Sequence, residues 1–137
     1  MAVLYKSLPK SQPGVVGGGQ IKYYASIVRE QPVKLRRFAE DISEMSTLTT
    51  GDVFGVLELF MKRLNFYMED GKIVKMGDFG SFSPSIGSNG SVSPEEINRK
   101  SITRYKINFR PSPILAERLS KVKFEKVSNE ISQEPTE

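Results

Sequence analysis

Cysteine and histidine do not occur anywhere in the 137-residue sequence. Their absence removes disulfides, thiolate nucleophiles, imidazole bases and the usual zinc ligand sets, and most familiar hydrolase mechanisms go with them. No apolar run approaches the roughly 18 residues that a membrane-spanning helix needs. The opening Met1-Ala2-Val3-Leu4-Tyr5-Lys6 also lacks the charged-then-apolar layout of a signal peptide. Neither a membrane protein nor a secreted precursor is expected, although a mature form trimmed of its signal would read the same way. What is present, 38% hydrophobic and 26% charged residues, is enough to build one core in a chain of about one domain's length.

Charge is distributed in blocks. Residues 1 to 37 carry +6, residues 38 to 70 carry −5, residues 71 to 98 carry −1, residues 99 to 126 carry +7 and the tail from 127 carries −3. Two basic blocks surround an acidic one, the footprint of a protein that docks on a polyphosphate through one face. The plainer alternative is that Lys and Arg only keep surface strands soluble.

Strands are expected over residues 2 to 8 and 21 to 29. Val3, Leu4 and Tyr5 are β-formers, and Ile21, Tyr23, Ala25 and Ile27 recur with period two. Between them Pro9, Pro13, Gly14 and Gly17 to Gly19 read as a loop. The glycines lack the Lys-Ser/Thr ending of a phosphate loop, so a flexible hairpin is the better reading.

After Pro32 the period becomes helical, with Leu35, Phe38, Ala39, Ile42 and Met45 on one face and Arg36, Arg37, Glu40, Asp41 and Glu44 on the other. Thr49 and Asp52 form a capping-box pattern that opens a second helix, and Gly71 stops it after about Asp70. From Val53 to Met68 this helix is apolar almost all round, leaving a narrow polar stripe through Glu58, Lys62, Asn65 and Glu69. Such a helix must be covered on more than one side, either by a second copy of the chain or by the first helix and the sheet alone.

Residues 72 to 76 read as a strand leading into the glycine-aromatic turn Gly77-Asp78-Phe79-Gly80-Ser81-Phe82, in which Phe79 and Phe82 are apolar anchors. Residues 83 to 101, rich in Ser, Gly, Asn and Pro, read as an irregular, mobile excursion. The run Ile102 to Arg110 then alternates Thr103, Tyr105, Ile107 and Phe109 with Arg104, Lys106, Asn108 and Arg110, a half-buried strand with a cationic outer face. Ser112 and Pro113 are the N-cap and first residue of a last helix carrying Ile114, Leu115, Leu119 and Val122. Asp41, Glu44, Asp52 and Asp78 could be imagined as a metal or acid/base cluster, but the first three fall on or beside helix faces, where solvated carboxylates are the rule, and no catalytic residue, metal or cofactor is expected.

The order of these elements, the segment Gly71 to Phe82 and the run Phe109-Arg110-Pro111 followed by Ile114-Leu115 resemble the bacterial histone-like HU and integration host factor family. The amino-terminal Ala2 to Lys6, the Pro/Gly loop and Ile21 to Ala25 are similar to the HU-like branch of Bacteroides-type bacteria, which carries an additional β segment. The resemblance implies an α+β, HU/IHF-like intertwined homodimer. Each chain would have two amino-terminal strands, a helix pair, a β-sheet with an arm-like excursion and a short carboxy-terminal helix. It implies one HU-like domain over residues 1–126, of which 1–31 are the β extension, followed by a disordered acidic tail over 127–137. It also implies a cytoplasmic, nucleoid-associated protein whose partner is double-stranded DNA, with no membrane and no small-molecule substrate.

One departure bears on mechanism. The family's arm ends in an Arg-Asn-Pro tip whose proline wedges between base steps, and residues 85 to 96 contain no such tripeptide. What remains for phosphate is Arg99, Lys100, Arg104, Lys106, Arg110 and, on the last helix, Lys121, able to neutralise charge without reading sequence. The alternative is an HU-fold structural or protein-interaction module that has lost its DNA-clasping arm.

Overall fold

The computed structural model describes residues 1–128; the segment from Asn129 to Glu137, which holds most of the expected acidic tail, lies outside the described residues. The architecture is α+β, with three α-helices and two three-stranded sheets among the described residues. Two compact units are formed. One consists of Met1–Pro32 with the described residues from Ser120 onward, the other of Val33–Leu119.

In the first unit, β1 (Val3–Lys10) is the middle strand of a sheet. It runs antiparallel to β2 (Lys22–Ile27) and parallel to the short β6 (Phe124–Lys126). Register places Tyr5 opposite Ile27, Leu8 opposite Tyr24 and Lys10 opposite Lys22. The Val3 N–H donates to the Lys123 carbonyl at 2.8 Å and the Val127 N–H to the Tyr5 carbonyl at 2.9 Å, tying the carboxy-terminal strand to β1.

Pro9, expected in the loop, lies inside β1. The pairing with β6 covers only Val3 to Tyr5, so at Pro9 the strand has a neighbour on one side only and tolerates a residue without an N–H. β6 was not anticipated, because three residues carry no readable period.

The second unit opens with α1 (Leu35–Glu44) and α2 (Thr50–Glu69). The outer face of α1 carries helix-spaced pairs, Arg36–Glu40 at 3.6 Å and Arg37–Asp41 at 3.1 Å, each worth only tenths of a kcal/mol. Thr49 caps α2 as expected: its Oγ1 accepts from the Asp52 N–H at 3.2 Å, and its own N–H reaches back to the Asp52 carboxylate at 3.4 Å. At the other end Gly71 takes φ +72°, which lets its N–H reach the Met68 carbonyl and the Lys72 N–H reach that of Tyr67, the paired bonds of a Schellman cap.

Ala39 and Val53 are the buried apolar side chains among the described residues. Along α2, Val56 is 62% exposed, Leu59 63% and Phe60 42%, so α1 and the sheet do not cover this helix.

The second sheet has the order β3 (Val74–Lys75), β4 (Gly80–Ser88), β5 (Ile102–Pro111) and is antiparallel throughout. Three expectations are corrected here. The strand expected over 72 to 76 shortens to two residues. Residues 83 to 88 belong to β4 instead of an irregular excursion, because Ser81, Ser83 and Ser85 alternate with Phe82, Pro84 and Ile86 in a two-residue period that loop-like composition conceals. And β5, expected half-buried, is exposed along its whole length on both faces, the contact of the Phe79 ring with Phe109 covering too little of its apolar side to bury it.

The last helix, α3, spans Pro113–Ser120, which leaves Val122 beyond it. Ser112 caps it, its Oγ accepting from the Leu115 N–H at 3.1 Å while its hydroxyl donates to the Asp78 carbonyl. One residue thereby starts the helix and ties it to the glycine turn.

Candidate nucleic-acid interface

The β4–β5 ribbon has two chemically distinct faces. Direct cross-strand partners share a face, so the register sets Arg104 over Gly87, Lys106 beside Ser85, Asn108 beside Ser83 and Arg110 beside Ser81. The opposite face pairs Phe82 with Phe109, Pro84 with Ile107 and Ile86 with Tyr105. One side is cationic and hydroxylic, the other apolar.

Small residues opposite long cations have a steric purpose. A Cβ added at Gly87 would come within 2.8 Å of both Cγ and Nε of Arg104, so the arginine stem lies directly across the glycine. Asn108 donates from Nδ2 to Ser85 Oγ at 3.0 Å, joining the strands across the same face. Among the described residues Arg104, Lys106 and Arg110 form no ion pair with a carboxylate. Their charge is available to an outside anion.

Cross-strand register adds a cation that the sequence alone did not place there. Lys75 of β3 faces Ser81, which faces Arg110, so Lys75 continues the same basic row. Nothing local marks Lys75 out, because its place depends on which residue of a separate strand it meets.

The apolar face and the turn hold the row in place. Phe109 packs between Phe79, at 5.1 Å between ring centroids, and Phe82, at 5.0 Å. Gly80 adopts φ +149°, and a Cβ there would stand 2.4 Å from the Arg110 carbonyl oxygen and 2.8 Å from the Phe109 ring. Only glycine lets β4 begin that close to β5. The two turn phenylalanines thus pack on β5, and the strand carrying Arg110 is fixed from behind. Tyr105, on the same apolar side, donates its hydroxyl to the Met68 carbonyl near the end of α2.

The loop joining β4 and β5 carries both signs. Arg99 and Lys100 sit in a 3-10 turn, Arg99–Ser101, fixed by Asn98, whose Oδ1 accepts from the Lys100 N–H at 2.9 Å. Glu95 and Glu96 precede them and accept hydrogen bonds from the Ser93 and Ser91 hydroxyls. The Ser93 hydroxyl, with the residue's own N–H, holds the Glu95 carboxyl below its ordinary range. Lys121 follows α3 and belongs to the other compact unit, so it is no part of this sheet. Of the six cations expected from sequence, three form the row, two share the loop and one lies elsewhere. Asp41 and Asp52 are engaged in the Arg37 pair and the Thr49 cap.

A Bacteroides vulgatus protein of known crystal structure, designated a candidate bacterial DNA-binding protein, superposes with a TM-score of 0.60 at 6% identity. The likeness covers 91% of this chain and 49% of that one, so the present chain spans about half the length of its structural neighbour, and what they share is the fold. No curated protein matches the sequence. Residues 1–126 match the HU-HIG family, described as an HU domain fused to a wHTH, Ig or glycine-rich motif, and with nearly the whole sequence matched the chain belongs to that family.

Proposed function

We propose that the chain is a sequence-tolerant, architectural binder of double-stranded DNA that acts as a homodimer and neutralises phosphates with the basic face of the β3–β4–β5 sheet. The observation that carries this reading is the row Lys75, Arg110, Lys106 and Arg104, which faces solvent on one side of one sheet with serines, an asparagine and a glycine between its members and no carboxylate on that face. Each phosphate neutralised releases condensed counterions from the duplex, a gain that does not depend on base identity. Hydroxyl and amide groups between the cations supply further phosphate contacts of the kind that position a protein without reading sequence.

The homodimer is supported by what the single chain leaves bare. Val56, Leu59 and Phe60 on α2 and Ile86 and Tyr105 on the apolar side of the ribbon need a cover that the described residues do not supply, and a second copy presents the same surfaces in return. A nucleoid location in the cytoplasm follows from this reading, which is that of a binding protein and not of an enzyme.

The loop favours one competing reading. Glu95 and Glu96 stand where a DNA-clasping arm would carry cations, as they would in an HU-fold protein-interaction module. A gel shift on long duplex DNA at low and high salt separates the two. The proposed function expects retardation at low salt that vanishes steeply as salt rises, for unrelated duplex sequences alike; no retardation at low salt leaves the interaction module.

A further inference from the structure

The amino-terminal sheet divides its faces in a similar way, and its basic face has no role so far. Leu4, Lys6, Leu8 and Lys10 of β1 share one side with Lys22, Tyr24 and Ser26 of β2, since register sets Lys6 opposite Ser26, Leu8 opposite Tyr24 and Lys10 opposite Lys22. Directly opposed residues of an antiparallel pair have Cβ atoms about 5 Å apart, and like charges at that distance destabilise the ladder. The Lys10–Lys22 pair is therefore a standing cost in the isolated chain.

Among the described residues no carboxylate pairs with either lysine. Residues 1 to 29 contain no Asp or Glu, and among the described residues Lys6, Lys10 and Lys22 take part in no ion pair. Among the described residues of this sheet the carboxylate on this face, that of Glu125 in β6, lies opposite Leu4, at the far end of β1 from Lys10. The cations in ion pairs among the described residues, Arg36, Arg37 and Lys72, have carboxylates close in sequence, and Lys6, Lys10 and Lys22 do not. Lys10 instead stands over the exposed Tyr24 ring, 5.6 Å from its centroid, which keeps the ammonium on the sheet face.

Lysine placed merely to guard a sheet edge belongs on an outer strand. Beyond Tyr5, β1 has lost its β6 neighbour, so Lys6 and Lys10 do lie along an edge, but edge protection does not call for setting Lys10 directly opposite Lys22. An arrangement of like charges that costs stability without a ligand and, among the described residues, forms no ion pair suits an external polyanion, whose phosphates would convert the repulsion into attraction.

We infer that the Lys6–Lys10–Lys22 face is a second contact surface for the phosphate backbone of duplex DNA, carried by the amino-terminal sheet and separate from the basic row of β5. This inference rests on the proposed function. Duplex is favoured over single-stranded nucleic acid because the face offers three cations and a single aromatic ring, already overlaid by Lys10, where single-strand platforms present successive free rings.

The test compares the salt dependence of binding to a long duplex, and to a single strand of equal length, for three forms of the full chain: unaltered, Lys6→Gln/Lys10→Gln/Lys22→Gln, and Arg104→Ala/Lys106→Ala/Arg110→Ala. The lysine variant is expected to keep its fold, with a thermal midpoint no lower than that of the unaltered chain. It should bind duplex more weakly, with a log–log salt slope shallower by about two to three units, near 0.9 per lost phosphate contact. An unaltered duplex slope in the folded lysine variant overturns the inference and leaves the proposed function standing. Loss confined to the single strand also overturns it. If the unaltered chain binds no duplex at any salt, the proposed function fails and the inference falls with it.

Discussion

The two sheets divide their surfaces alike and differ in what stands opposite their cations. Each has a basic face and an apolar face, and each middle strand contains a proline, Pro9 in β1 and Pro84 in β4. Both prolines sit where the middle strand has lost one neighbour: β6 pairs no further than Tyr5, and β3 no further than Phe82. In the β3–β4–β5 sheet, Arg104, Lys106 and Arg110 face Gly87, Ser85 and Ser81, whereas in the amino-terminal sheet Lys10 faces Lys22. The first arrangement carries its charge at little internal cost; the second stores repulsion. Their apolar faces differ as well. Phe79, Phe82 and Phe109 interlock behind the basic row, while Val3, Tyr5, Ala25, Ile27 and Phe124 line an open groove.

The comparison breaks first at α2, on which the apolar side of the second unit depends. Phe60→Asp should abolish the folded protein and yield no soluble monomer, because a charge forced into the surface that the proposed homodimer would cover costs several kcal/mol by order of magnitude. Circular dichroism with sedimentation reads the outcome, and a folded monomer would show that α2 needs no partner.

A smaller effect tests the interlocked face. Gly80→Ala must place a Cβ against the Arg110 carbonyl at an unfavourable φ, and should lower stability by about 2–3 kcal/mol. The urea midpoint should fall with the slope unchanged. A midpoint equal to that of the unaltered chain would mean that β4 and β5 separate there at no cost.

The smallest effect sharpens the contrast in what faces the cations. Gly87→Ala pushes on the middle of the Arg104 side chain, so duplex affinity at low salt should fall only a few-fold, while stability changes by about 1 kcal/mol or less. A fluorescence anisotropy titration detects this. Unchanged affinity would mean that Arg104 has no preferred path across Gly87.

What was legible in the sequence was local. Thr49 and Asp52 announced the start of α2, Gly71 its end, and Ser112-Pro113 the start of α3, because each signal acts within a few residues of itself. The apolar girdle of α2 was equally readable. What escaped depended on contacts distant in sequence or on composition that misleads. Ser83 to Ser88 looked like loop because serine, glycine and proline are loop formers, yet with β5 alongside, their alternation suits a strand. Phe124 to Lys126 became a strand only by meeting β1, more than a hundred residues earlier. Lys75 joined the basic row through a partner residue, and Lys121, expected on the last helix, follows that helix and lies in the other unit.

The central claim is that cations on the ribbon face, not the loop at its end, hold the duplex. It is tested most directly by measuring the salt slope of duplex binding for Arg104→Ala/Lys106→Ala/Arg110→Ala beside a form trimmed of Asn89–Ser93. The triple variant should bind every duplex sequence more weakly and lose about one unit of slope per phosphate contact removed, roughly three in all. The trimmed form should keep nearly the full slope, since Asn89 to Ser93 include no cation. Binding abolished by the trimming and left intact by the triple substitution would contradict the account and place the contact at the loop.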